Sequence, residues 1–143
     1  MRHGIIAAAC LVIATAAAAQ TTPAPFVRPS DPQVRGLIFE VDRARGRFEG
    51  ALDSDFKGSI LRSPTGEVNV GKYLDDFERN ASQLKDRYKD EYAASAETLT
   101  LLKQCTGLNT FMANQPAGFK GRSEWDAMVV LLGNLARMYG TAF

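Results

Sequence analysis

Apolar residues recur at intervals of three and four over most of this chain, the spacing of one buried helix face. The first run is Val34, Leu37, Ile38, Val41, Phe48 and Leu52, with Phe56 beyond it. Its start is marked by Asp31, placed to act as N-cap, and by Pro32 at the first helical position, where the missing N–H costs nothing. Arg43, Arg45 and Arg47 alternate with small residues, so they fan around the polar side instead of forming a patch. Gly46 and Gly50 each weaken a helix by about 1 kcal/mol relative to alanine. They predict close packing at those points, or a helix that is marginal until it docks.

A second run extends from Lys72 to Met112 without proline, interrupted only by Gly107. Leu74, Phe77, Ala81, Leu84 and Tyr88 keep good spacing; Glu91 and Ser95 then fall where apolar residues are due, and the pattern resumes with Tyr92, Ala96, Leu99 and Leu102. One unbroken helix here would be about 60 Å long. A domain of this size has a radius of gyration of about 14 Å. The mismatch predicts a break near Asp90–Ser95 unless the molecule is an elongated hairpin or dimer. Pairs such as Asp75/Arg79 and Arg87/Glu91 describe a solvated face.

The last run, after the loop "QPAGFKGR", places Trp125, Met128, Val129, Leu132, Leu135, Ala136 and Tyr139 on one face. Ala127, Val130, Leu131 and Met138 make much of the other side apolar too. A helix apolar nearly all round is either a central element or an oligomer interface, so self-association through this helix is an expectation. Ser123 with Asp126 suggests a capping box, and Gly140 a left-handed stop.

Between the first two runs lies "GSILRSPTGEVNVGKY", with a turn signal at Pro64-Thr65-Gly66. A short β-hairpin at 59–70 competes with a plain loop. The loop is preferred, because an isolated two-stranded ribbon is marginal in water. Its far end reads as a helix start, with Asn69 as N-cap and Val68 stapling onto Tyr73.

These elements predict an all-α fold: a three- or four-helix up-down bundle over 33–143. The outline is similar to periplasmic four-helix bundles such as cytochrome c prime in architecture alone, since the haem motif C-x-x-C-H is absent. Ahead of it, 20–32 holds Pro23, Pro25, Pro29 and Pro32, four of the six prolines, and reads as an extended flexible leader.

The N-terminus changes the picture most. "MRHGIIAAACLVIATAAAAQ" has a basic start at Arg2 and His3, an apolar stretch from Ile5 to Ile13, and small residues at Ala16 to Ala19. This is the pattern of a secretory signal peptide over 1–19, cleaved between Ala19 and Gln20. It is too short for a membrane span, and "IAAAC" makes a poor lipobox. The expected location is the bacterial periplasm or the exterior. Cleavage removes His3, the only histidine, and Cys10, leaving Cys105 as a lone thiol. It also leaves 16 basic against 16 acidic residues. A near-neutral chain argues against nucleic acid or an anionic membrane as an electrostatic partner.

Catalytic constellations are not legible. Without histidine, acid–base chemistry would need carboxylates perturbed by burial. Asp53/Asp55, Asp75/Asp76 and Asp90/Glu91 lie on polar segments, and helix neighbours point about 100° apart. No nucleophile motif, phosphate loop or zinc spacing is present, and no cofactor or metal is expected. Cys105 sits among Leu101, Leu102 and Leu108 and reads as a small buried hydrophobe, with an intermolecular disulfide as the alternative. Gly107 is expected to admit a neighbouring helix or to end its own. Phe119, Trp125, Tyr139 and Phe143 are the candidate contact surface. The leading expectation is an exported non-catalytic accessory protein acting through a protein–protein surface. The alternative is a carrier of a small ligand or cofactor in the bundle core; a small enzyme ranks third.

Overall fold

Asp31 caps the first helix as its position requires: its Oδ1 accepts from the backbone N–H groups of Gln33 (2.9 Å) and Val34 (3.5 Å). In the computed structural model, which describes residues 27–63 and 66–143, that helix is α1, Pro32–Ala51. There follow a single turn α2 (Ser54–Lys57), strands β1 (Ile60–Ser63) and β2 (Gly66–Asn69), and helices α3 (Val70–Arg87), α4 (Ser95–Ala113) and α5 (Arg122–Met138). The described chain is thus mostly helical, with five helices and one two-stranded antiparallel sheet. The signal peptide, its cleavage site at Ala19 and Gln20, most of the proline-rich leader, and Pro64-Thr65 lie outside the described residues.

The segment 59–70 is a hairpin, not the plain loop preferred above. Ile60 pairs with Asn69, Leu61 with Val68, Arg62 with Glu67 and Ser63 with Gly66. A free ribbon of this length would be marginal. In this one Leu61 packs against the core, with Val68 directly opposite it on the same face, so tertiary packing supplies what the ribbon lacks. Asn69 then caps α3, accepting from the Lys72 N–H at 2.9 Å.

The long run breaks between Arg87 and Ser95, where the size argument required it. Tyr88 ends α3 in extended backbone, and Ala94 starts α4 from the left-handed region at φ 50°. That reset changes the phase of α4. The expected face of Tyr92, Ala96, Leu99 and Leu102 is therefore largely wrong: Tyr92 and Leu99 are exposed, and Ala94, Thr98, Leu101, Leu102, Cys105, Leu108 and Met112 are buried. Thr98 is a core residue because its hydroxyl donates to the Ala94 carbonyl at 3.0 Å, which removes the cost of burying it.

Helix α5 does not open on a capping box. Gly121, at φ 84°, is its N-cap, and the Ser123 hydroxyl turns to Glu124. Glycine is required there twice over, since a Cβ would also lie 3.0 Å from Leu52 and 3.3 Å from Phe48. The other end is a Schellman stop at Gly140 (φ 64°), with Thr141 N–H donating to Ala136 and Gly140 N–H to Arg137.

One core runs through all four long helices. Helix α1 packs on α5 and α3, α3 on α4, and α4 on α5. Two tyrosines tie the ends. Tyr88 donates to the carbonyls of Arg28 (3.0 Å) and Asp31 (3.3 Å), and Tyr139 to that of Ala93 (2.6 Å). Val27 is buried in the same core, so the end of the leader at 27–32 is docked and not a plain tether. Among the described residues no helix is long and apolar enough to cross a membrane.

Candidate functional site

Six elements converge where α1 ends, and they leave a half-open apolar cavity of about 370 Å³. Phe48 and Leu52 come from the last turn of α1 and its cap, and Phe56 from α2. The hairpin contributes Leu61 and Val68 from its inner face. Val70, Tyr73 and Leu74 line it from α3, and Gly107, Leu108 and Phe111 from α4. Apart from Gly107, which is exposed, these are simply the apolar positions facing inward along each element. The hairpin covers this end of the core without filling it.

Polar groups at the cavity are few and already engaged. The Tyr73 hydroxyl donates to the Gln104 backbone carbonyl at 2.7 Å, and burial pushes its pKa well above the usual tyrosine range. Arg62 is the one charged lining residue among those described. It follows inward-facing Leu61 on its strand, so its guanidinium stands at the rim in water, 88% exposed. Glu67, its cross-strand partner, lies 3.5 Å away, and the rim carries no net charge from this pair.

The sequence-predicted site residues fall elsewhere in the fold. Trp125 is not a surface residue: it is 1% exposed, tilts against Phe48 at 5.3 Å, and donates from Nε1 to Asn109 Oδ1 at 3.1 Å. An indole can be a core anchor wherever its N–H finds an acceptor, and Asn109 on the preceding helix, α4, supplies one. Phe119 is half-buried in an aromatic trio, edge-on to Phe56 at 5.2 Å and to Phe111 at 6.2 Å. Phe56 and Phe111 stack at 5.7 Å. Tyr139 is half-buried, and burial raises its pKa to about 12. Phe143 also packs against the core. The four therefore do not form one exposed face. Phe48, Leu52, Phe56, Leu74 and Leu108 were legible individually as apolar-face positions, whereas Phe111 and the hairpin's contribution were not; nor could sequence show that these residues fail to fill the space between them.

Cys105 is fully buried, and burial drives its thiol pKa up. Gly107 neither ends α4 nor meets a neighbouring helix: no atom among the described residues lies within 4 Å of where its Cβ would be. Gly46 and Gly50 show the same open space, so close packing does not explain them.

At the opposite end, a polar cleft of about 320 Å³ lies between α1 and the end of α3. Arg35 crosses it to Asp90 at 2.8 Å, with Lys85, Lys89 and exposed Phe39 around it. Among the described residues no group of three or more His, Cys, Asp or Glu is placed to hold a metal ion. No known family model, curated protein or solved structure matches this chain.

Proposed function

We propose that this is an exported, non-catalytic carrier of a small apolar ligand. The observation that carries the reading is the cavity beneath the hairpin. Its volume falls in the usual range for small-molecule sites, and its wall is almost wholly hydrocarbon. We also propose that α1, α3, α4 and α5 form an up-down four-helix bundle. The α5 start meets the α1 end through Lys120 and Asp53 (2.5 Å), and Tyr88 brings the α3 end to the α1 start. Export rests on the signal-peptide pattern of the first 19 residues.

Native mass spectrometry of protein recovered from the exported fraction of its host tests this reading. A mature chain beginning at Gln20 and carrying a small noncovalent adduct supports both parts. A mature chain that is bare, and that stays bare with added hydrophobic compounds, overturns the carrier role.

A second reading, a protein–protein accessory role through α5, is favoured by Val130, which is 63% exposed on that helix. Light scattering of the wild type and Val130→Lys checks it. A dimer that the lysine dissociates supports the surface, and a monomer in both removes self-association.

A further inference from the structure

The chemistry of the cavity wall narrows its occupant, given the carrier reading on which this inference rests. An engineered apolar cavity of about 150 Å³ holds one benzene. A volume of about 370 Å³ therefore has room for roughly a dozen carbon atoms. Rings from four separate elements face it: Phe48, Phe56, Tyr73 and Phe111. Their edges and faces are the natural partners of another ring, and such pairs add attraction beyond the area they bury.

Charge is disfavoured along the enclosed part of the same wall. The Tyr73 hydroxyl is spent on Gln104, and Arg62 is matched across the ladder by Glu67. A buried carboxylate or ammonium would find no partner, and an unpaired buried charge is costly.

Gly107 is the remaining feature. A mid-helix glycine weakens α4, its φ is not in the left-handed region, and no neighbour needs the space its side chain would take. Gly36, Gly46, Gly50 and Gly133 are helical glycines with equally open space, but only Gly107 lines the cavity. Gly107 is itself exposed, so it lies at the mouth of the cavity, and what its missing side chain leaves is width at that entrance.

We propose that the cavity binds an uncharged aryl compound of about two-ring size, and that Gly107 determines whether it fits. Naphthalene and naphthoate are the probes, titrated into the mature full chain at pH 7 and followed by calorimetry, with decanol as the alkyl comparison. Naphthalene is expected to bind, naphthoate at least tenfold more weakly. Gly107→Leu is expected to weaken naphthalene at least tenfold with an unchanged far-ultraviolet spectrum, and Gly46→Ala to leave it unaltered. Gly107→Ala, which no neighbouring atom opposes, keeps the test readable if the leucine variant does not fold; a loss of a few-fold is expected.

Naphthoate or decanol binding more tightly than naphthalene overturns the aryl class but leaves the carrier reading in place. A folded Gly107→Leu that binds naphthalene as the wild type does overturns the assignment of Gly107 and of this cavity. Failure of all three probes, together with a bare mass from the host, removes the carrier reading and this inference with it.

Discussion

Cys105 shows how burial decides chemistry at a single residue. It is the only cysteine among the described residues and is fully enclosed, so the thiolate is strongly disfavoured and the thiol is inert. Native protein is expected to label with a thiol reagent at least tenfold more slowly than protein in denaturant, and to run as a monomer without reductant. A disulfide-linked dimer on non-reducing electrophoresis would contradict the packing. Cys105→Ser should lower stability by about 1–3 kcal/mol, because a hydroxyl is costlier to bury than a thiol and has only the carbonyl one turn earlier on its own helix to donate to. Cys105→Ala should cost less, and urea unfolding of the pair separates the polar effect from lost volume.

At the scale of elements, the sequence was most readable where one local rule had no competitor. Asp31-Pro32 marked the start of α1, Asn69 that of α3, and Gly140 the end of α5, since each terminus uses a side chain or backbone freedom specific to that residue type. It was least readable where tertiary packing overrides propensity. The hairpin exists because Leu61 and Val68 have a core to face, and the phase of α4 follows from one left-handed residue, Ala94, that nothing in its identity announces. The same logic applies to the cavity: apolar spacing indicates which residues point inward, not whether they meet.

Two of the three glycines of α1, Gly46 and Gly50, turn this into a measurement. A methyl group at either position would have no atom of the described residues within 4 Å. Gly46→Ala and Gly50→Ala should therefore each raise stability, by about 0.4–1 kcal/mol. They lie one turn apart on the same helix face but share no packing partner, so the double variant should be close to additive by urea unfolding. A destabilisation would mean that these positions are occupied in the native state.

At the scale of the whole molecule, α1 and α3 are joined by a charge network with opposing pH dependences. Asp42 accepts from Lys85 on α3 at 2.8 Å and from Arg45 at 3.3 Å, and Arg45 also holds Glu49 at 2.9 Å. Burial works against the Asp42 carboxylate, but Lys85 and Arg45 outweigh it and hold its pKa below the ordinary 3.8. Its stabilisation is therefore complete above the unfolded value and disappears as pH falls through the lower folded value. Glu49 has the opposite sign: burial raises its pKa above 4.5 despite Arg45, and its Oε1 is enclosed without a hydrogen-bond partner. Protonating Glu49 thus favours the folded state as pH falls through its raised folded value toward 4.5, where that gain is complete. The two effects predict a stability that holds or rises slightly down to about pH 4.5 and then falls steeply below about pH 4. Asp42→Asn should cost about 1–3 kcal/mol at pH 7 and flatten the acid limb. Glu49→Gln should be milder at pH 7 and remove the shallow rise. Urea midpoints of both variants between pH 3 and pH 7 decide it; an acid limb unchanged in Asp42→Asn would place the acid-sensitive contact elsewhere.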